Sequence, residues 1–111
     1  MIADPRLKER DYGDLTGKNK DEVAKEFPEK YPLWHRSYDV SPPGGESIKD
    51  VEVRVMDFLK EMIQNVRQND IIFICASGNS IRPMRKHFEK MTNIQMASYE
   101  NERGKIYSYE I

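Results

Sequence analysis

A short polar turn in the second half of the sequence has the residue types and position of an anion site. Residues 77–80, Ser-Gly-Asn-Ser, follow an apolar run and come before a segment with helical spacing. Backbone N–H groups at the start of a helix can hold a phosphate or a carboxylate. An ordinary connection between a strand and a helix explains the same residues equally well. Both interpretations of the turn therefore stay open at this point.

The spacing of the histidines, the cysteine and the glycines does not indicate a metal site or a nucleotide-binding loop. His35 and His87 lie far apart in the sequence, and Cys75 is the only cysteine. We therefore expect no metal site and no internal disulfide, and a single cysteine suits a reducing cytosol. Residues 13–19 are similar to a Walker loop, but the two glycines lie one residue too close together and no apolar strand precedes them.

The composition excludes several classes of partner. Eighteen Lys and Arg residues against nineteen Asp and Glu residues leave a formal net charge of −1 over 111 residues. Nucleic acid and anionic lipid are therefore not expected partners. No apolar run approaches the roughly 20 residues of a membrane span, and the first residues lack a signal-peptide core. We expect a single domain over residues 1–111, in the cytoplasm.

The elements in the first half are a short helix and loops. Asn19 can cap a helix from about Lys20 to Phe27, and Pro28 would stop it. The segments around this helix have the composition of loops. Residues 42–45, Pro-Pro-Gly-Gly, form a connection that excludes regular structure.

A longer helix follows this connection. Ser47 with Asp50 three residues later predicts a capping box at its start. Apolar residues then recur at helical spacing through about five turns: Ile48, Val51, Val55, Phe58, Leu59, Met62 and Val66.

The second half predicts strands on both sides of another helix. Residues 71–76 are continuously apolar, which predicts a core strand covered on both faces. A helix from about Ser80 to Lys90 would tolerate Pro83 in its first turn. Two short strands are expected near 95–99 and 105–111. This order of elements indicates an α/β fold class.

Four motifs in sequence order resemble the cofactor-dependent phosphoglycerate mutases of the histidine phosphatase superfamily. They are Leu-Lys-Glu-Arg-Asp-Tyr-Gly-Asp-Leu-Thr-Gly at 7–17, Trp-His-Arg-Ser-Tyr-Asp-Val at 34–40, Pro-Pro-Gly-Gly-Glu-Ser at 42–47 and Ala-Ser-Gly-Asn-Ser-Ile-Arg at 76–82. The resemblance covers residues 4–111. It implies a partial three-layer α/β fold with a mostly parallel sheet that lacks the N-terminal strand.

The resemblance also implies a site for a phosphorylated hydroxy-acid such as phosphoglycerate. Glu9, which alone would be interpreted as a surface carboxylate, would be the general acid and base for the substrate hydroxyl. The implied substrate-binding residues are Arg10, Tyr12, Lys20, His35, Arg36, Gly78 and Asn79. The cationic side chains among them can neutralise phosphate and carboxylate oxygens, while the phenol and the amide can donate hydrogen bonds. A plain structural role for His35 stays equally open.

Two residues that the family uses to carry and hold the phosphoryl group have no counterpart here. The phospho-accepting histidine of an Arg-His-Gly motif would lie upstream of residue 4, and Ser77 stands where the family has a second histidine. Serine offers neither a cation nor an imidazole nucleophile. The family implies 2,3-bisphosphoglycerate as cofactor, but we expect none to be bound by this chain alone.

These departures leave three functional hypotheses. The first is a fragment or split half of an enzyme, completed by self-association or by a chain that supplies the missing N-terminal strand. The second is a non-catalytic phosphometabolite-binding module, and the third is a degenerate product with residual folding ability. The substrate subtype is also open, because the short connection after Pro42-Pro43 is similar to that of the small phosphatases of the superfamily.

Overall fold

The structure, a computed structural model, describes residues 3–99, 101 and 104–110. Its regular elements are all helical. The α-helices are α1 (Lys20–Glu26), α2 (Tyr31–Arg36), α3 (Ile48–Asn65), α4 (Gly78–Glu89) and α5 (Asn93–Ser98), and two 3₁₀ helices span Pro5–Leu7 and Gly13–Leu15. No β-strand occurs in the described ranges, so the mostly parallel sheet expected from the sequence is not present there.

The core of the molecule lies between α3 and α4. Val51, Val55 and Leu59 on one face of α3 are completely buried and pack with Met84 of α4. Burial of such a side chain contributes about 1.5–3 kcal/mol relative to exposure. The helical spacing of these residues in the sequence predicted this face correctly, and α3 extends over the predicted range.

Residues 71–76 pass this core without regular structure. Ile74 and Ala76 pack against the core, whereas the other four residues, Ile71, Ile72, Phe73 and Cys75, are exposed. The prediction of a strand covered on both faces is therefore wrong for the described residues, because helices cover one side only and no neighbouring backbone pairs with the segment.

α4 begins two residues earlier than predicted. Ser77 is its N-cap and Gly78 its first residue, so Pro83 lies inside the helix rather than in its first turn. Pro83 is nevertheless fully buried, and the helix continues to Glu89 before it ends at Lys90 in a left-handed conformation.

The expected strand near 95–99 is wrong, because α5 occupies most of this range. Thr92 and Gln95 form a reciprocal capping box with distances of 3.1 and 2.9 Å, which fixes a helix start. Met96 and Ala97 are then buried against Ile48. Residues 105–110 have no regular structure, and residue 111 of the expected last strand lies outside the described residues.

α1 and α2 form a separate pair of short helices. Asn19 caps α1 as predicted, since its side chain accepts from two backbone N–H groups at 2.8 and 3.3 Å. α2 lies where the sequence predicted only a loop. It is held by Trp34, which is buried and packs edge-on against Phe27 with 5.3 Å between ring centroids. Within the described ranges, no helix is both long and apolar enough to cross a membrane.

Candidate functional site

The segment that carries Glu9 has no regular structure and is held in place from α3. Arg54 donates to both carboxylate oxygens of Glu46 at 3.0 Å, and to the carbonyl oxygens of Arg6 and Glu9 at 2.7 and 3.3 Å. Glu46 also accepts from the Asp11 N–H at 3.0 Å. Burial of Glu46 would raise its pKa, but the bonds from Arg54 and the Asp11 N–H outweigh this and lower it.

Arg10 joins the same segment to α2. Its guanidinium is buried and donates to the carbonyl oxygens of Glu46, His35 and Trp34 at 2.8, 3.3 and 2.6 Å. It also lies over the Tyr12 ring, 4.9 Å from the centroid. Burial lowers the pKa of Arg10 from its usual value. Arg10, which was predicted to bind substrate, therefore connects its own segment to α2 and to Glu46.

The glycine-rich connection supports the backbone around Tyr12. The Asp14 N–H donates to the Pro43 carbonyl oxygen at 2.8 Å. Gly13 has a φ of +58°, and a Cβ there would lie only 2.2 Å from that oxygen. A Cβ at Gly45 would also clash with backbone, at 2.6 Å from the Asp11 carbonyl oxygen. The two glycines allow segments 11–13 and 43–45 to contact each other backbone to backbone, and this contact positions the backbone around Tyr12.

Glu9, Tyr12 and Asn79 meet at one point although they are distant in sequence. The Asn79 side-chain Nδ2 donates to the Tyr12 hydroxyl at 2.9 Å and to the Glu9 Oε1 at 3.3 Å. The Arg10 N–H donates to the same Glu9 oxygen at 2.7 Å. Ser80 holds the start of α4 against this segment, because its buried hydroxyl donates to the Lys8 carbonyl oxygen at 2.6 Å.

A cavity of about 530 Å³ opens beside this cluster. Its size lies within the range of sites for small molecules. Five of the predicted site residues line it: Glu9, Arg10, Tyr12, Lys20 and His35. Lys18 adds a further cation at the rim, and both it and Lys20 are exposed. Within the described part of the chain, no salt bridge involves either lysine.

His35 lies in the cavity lining, whereas Arg36 and Gly78 lie outside it. His35 stacks on Tyr31 with ring centroids 5.4 Å apart. Arg36 lies outside the lining and donates from Nη1 to the His35 carbonyl oxygen at 3.1 Å. Gly78 is also outside, and its carbonyl oxygen accepts from the Asn101 side chain at 3.0 Å. The structure thus unites six of the eight predicted residues, since Asn79 joins the cavity through Glu9 and Tyr12.

The cluster combines a proton acceptor, two neutral donors and a cationic rim. The Glu9 carboxylate can accept a proton, the Tyr12 hydroxyl and the Asn79 amide can donate hydrogen bonds, and the lysines can pair with anionic oxygens. Among the described residues, no group of three or more His, Cys, Asp or Glu side chains could hold a metal ion. The arrangement suits an anionic ligand that carries a hydroxyl group.

Sequence reasoning missed the side chains that support the cluster. Arg82 donates from Nε to the Asn79 Oδ1 at 3.2 Å, and Arg54 fixes the backbone of Glu9. Arg82 follows Asn79 by three residues on a helix, a spacing that places both on one face and could have indicated the contact. Arg54 offered no comparable local signal, because its partners lie far away in the sequence.

Comparison with known proteins decides the family. The family model of the histidine phosphatase superfamily, branch 1, matches residues 1–111. The chain belongs to this superfamily. The resemblance inferred from the four motifs is confirmed.

Relatives of this histidine phosphatase superfamily member are phosphoglycerate mutases by name. The 2,3-bisphosphoglycerate-dependent phosphoglycerate mutase of Azorhizobium caulinodans is 44% identical over 93 residues, which are 82% of this chain and 45% of the relative. The enzyme of the same name from Chlamydia muridarum is 44% identical over 112 residues, which are 99% of this chain and 50% of the relative. The chain spans about half the length of the relatives it matches.

A solved structure shows a likeness of fold. A mycobacterial glucosyl-3-phosphoglycerate phosphatase in complex with inorganic phosphate superposes with a TM-score of 0.74 at 22% sequence identity. The match covers 87% of this chain and 50% of that protein. This likeness shows that the described helices are arranged as in the fold of that protein.

Proposed function

We propose that this chain supplies the substrate-binding portion of a phosphoglycerate-mutase-like protein, which binds a phosphorylated hydroxy-acid such as phosphoglycerate. The observation that carries the proposal is the hydrogen-bonded cluster of Glu9, Tyr12 and Asn79 beside a cavity with a cationic rim. Its residues come from two of the motifs that resemble the family. The names of the relatives support the same substrate class.

In this proposal Lys20 and Lys18 pair with the anionic oxygens of the ligand, and Tyr12 and Asn79 donate hydrogen bonds to it. Glu9 is placed to accept the proton of the substrate hydroxyl as its oxygen bonds to phosphorus, while the bond from phosphorus to a histidine on another polypeptide segment breaks. In the reverse step, Glu9 returns that proton to the oxygen as the oxygen–phosphorus bond breaks and the histidine takes back the phosphoryl group. His35 lies at the cavity, where a protonated imidazole would add a further charge. Arg36 would contribute only if its side chain turned toward the cavity.

The relatives are named for dependence on 2,3-bisphosphoglycerate. The described residues fit such an anion, because the cavity carries several cations at its rim and the Asn79 amide beside it. When bound in the relatives' way, this compound supplies the phosphoryl group. Lys18 and Lys20 are the residues of this chain that would hold its phosphates.

We further propose that segment 71–76 becomes a strand of the predicted sheet when it pairs with another polypeptide segment. Its side chains Ile71 and Phe73 are 82% and 90% exposed, and an unpaired apolar segment favours association. The pairing segment would come from a second copy of this chain or from another polypeptide. A cytoplasmic location, with Cys75 reduced, is consistent with this proposal.

Calorimetric titration with 3-phosphoglycerate tests the binding proposal. Lys20→Ala removes a rim cation from an exposed position, so affinity should fall about tenfold or more while the fold is kept. Lys25→Ala is the matched control, because Lys25 lies on the same helix α1 but not in the cavity lining. Equal affinities of the two variants, or no binding by the unaltered protein, would contradict the proposal.

A second candidate function, ligand binding without turnover, is favoured by Ser77. Its hydroxyl oxygen is buried and has no hydrogen-bond partner among the described residues. A neutral hydroxyl supplies neither the charge nor the nucleophile of a histidine at this position. Under this alternative, 3-phosphoglycerate would bind without turnover even after a histidine-bearing half is added. Release of phosphate from the ester would instead favour a phosphatase-type activity.

Ser77→His alone should not create mutase activity. The variant gains an imidazole, but the 111 residues contain no Arg-His-Gly motif to accept the phosphoryl group. Incubation with 2,3-bisphosphoglycerate followed by ³¹P NMR should therefore show no phosphohistidine. Detection of phosphohistidine together with turnover in this single variant would overturn the expectation.

A further inference from the structure

Arg82 is a buried cation that contacts the site without lining its cavity. The residue is only 3% exposed and lies on α4, one turn after Asn79. Nη1 of its guanidinium donates to the carbonyl oxygens of Met96 and Tyr99, at 3.0 and 2.5 Å. It also lies over the Tyr99 ring at 4.9 Å. These contacts fix the guanidinium at the end of α5.

Another contact of Arg82 reaches the candidate site. Its Nε donates to the Asn79 Oδ1 at 3.2 Å, while the Nδ2 of the same amide donates to Tyr12 and Glu9. A guanidinium carries donors only, so it can face only the oxygen of an amide. Because the Arg82 guanidinium binds the Asn79 Oδ1, the Asn79 Nδ2 faces Tyr12 and Glu9 on the cavity side.

We propose that Arg82 is a positioning residue that sets the orientation of the Asn79 amide. Rotation of the amide by half a turn would place Oδ1 against the Glu9 carboxylate, which offers acceptors but no hydrogen when ionised. The same rotation would place Nδ2 against the Arg82 guanidinium, so that two donors faced each other. Both ends of the amide therefore favour the observed orientation.

The consequence concerns the kind of ligand that the site accepts. An amide nitrogen directed to the cavity side presents a donor, which suits the anionic oxygens of a phosphate ester. This consequence for affinity rests on the proposed function. The orientation of the amide itself is measurable without any ligand.

The test compares Arg82→Lys with Arg85→Lys by NMR of the ¹⁵N-labelled protein. Lysine keeps the charge, but a single ammonium cannot reproduce the several directed donors of the guanidinium. Arg85 is the matched control on the same helix, because it pairs with Glu89 rather than with Asn79. The Asn79 side-chain NH₂ signals are identified by their loss in Asn79→Asp.

In the unaltered protein and in Arg85→Lys, the two Asn79 amide protons should be resolved and protected from exchange. Arg82→Lys should lower this protection at least tenfold. Unchanged signals and protection in Arg82→Lys would overturn the proposal. If circular dichroism shows that Arg82→Lys has lost its helices, a second variant, Asn79→Ala, is used instead. The exchange of the Arg82 Nε–H proton is then compared between Asn79→Ala and the unaltered protein. Faster exchange of that proton supports the contact, and unchanged exchange overturns it.

A titration with 3-phosphoglycerate separates the positioning role from the proposed function. Affinity should fall about tenfold in Arg82→Lys and stay unchanged in Arg85→Lys. Loss of amide protection in a protein that never binds the ester would contradict the proposed function and leave the positioning role intact. Kept protection with lost affinity would show that Arg82 acts in another way, which overturns the inference.

Discussion

Three arginine side chains organise the candidate site by donating to oxygens of the protein itself. Arg10 donates to three backbone carbonyl oxygens, Arg54 joins Glu46 to two more, and Arg82 connects Asn79 with the end of α5. The planar guanidinium suits this role because its donors have fixed directions. In the proposed function, the exposed lysines at the cavity rim supply the charge that pairs with an anionic ligand.

Arg10→Lys should destabilise the protein by about 3 kcal/mol. The lysine ammonium cannot reach all three carbonyl oxygens, so buried acceptors lose their partners. Arg67→Lys, an exposed substitution of the same type, should change the free energy of unfolding by less than about 0.5 kcal/mol. Urea unfolding followed by circular dichroism measures both. Equal midpoints for the two variants would show that the Arg10 contacts contribute nothing.

The residue types of the site could be predicted from the sequence, but their partners could not. The motif around Glu9 and Tyr12 indicated the site, and the structure places both beside Asn79. Whether Arg10 faces a ligand or a carbonyl oxygen depends on the approach of α2, which is a tertiary contact. Local sequence patterns do not predict such a contact.

At the scale of elements, prediction succeeded where local signals decide the conformation. Asn19 and Ser47 cap α1 and α3 as expected, because cap residues act on backbone groups two or three positions away. It failed for residues 71–76 and 95–99. An apolar run becomes a strand only through pairing with another segment, and the capping box of Thr92 and Gln95 selects a helix instead.

The capping box of α3 predicts a specific dependence of stability on pH. The Ser47 N–H donates to the Asp50 carboxylate at 2.9 Å, and this bond lowers the pKa of Asp50. A depressed folded pKa means that the stabilisation is complete above the unfolded value of about 3.9. It is then lost as the pH falls through the folded value.

Asp50→Asn should therefore cost about 0.5 kcal/mol near pH 7, after allowance for screening by solvent. The cost should shrink as the pH falls and Asp50 of the unaltered protein becomes protonated. Thermal melts between pH 2 and 7 measure the difference, and Asp39→Asn, at an exposed position outside the capping box, is the control. A difference that does not change with pH would rule out the carboxylate of the capping box as its source.

At the scale of the whole molecule, the shape is more extended than that of a closed domain. The radius of gyration is 15.2 Å and the extents are 52 × 25 × 25 Å, whereas a compact domain of this length has a radius of about 13 Å. The chain also spans about half of its relatives. Both facts are consistent with helices that cover only part of residues 71–76 and leave Ile71, Ile72 and Phe73 exposed.

This arrangement predicts association through the exposed face of residues 71–76. Sedimentation velocity of the unaltered protein should show a dimer or a larger species, and Phe73→Lys should shift it toward monomer. Phe73 is 90% exposed, so the substitution should leave folding intact. Val53→Lys is the control, because it places the same charge on α3 at a side chain that is 67% exposed. A stable, well-folded monomer of the unaltered protein would count against the association.

The most direct test of the proposed binding function is an NMR titration of the ¹⁵N-labelled protein with 3-phosphoglycerate, with glycerate as the ligand control. The largest shifts should occur at Tyr12, Lys20 and Asn79, around the cavity, and glycerate should cause much smaller ones because it lacks the phosphate. Saturable shifts confined to this cluster would establish a phosphate-ester site. Shifts located elsewhere, equal effects of glycerate, or none at all would contradict the account.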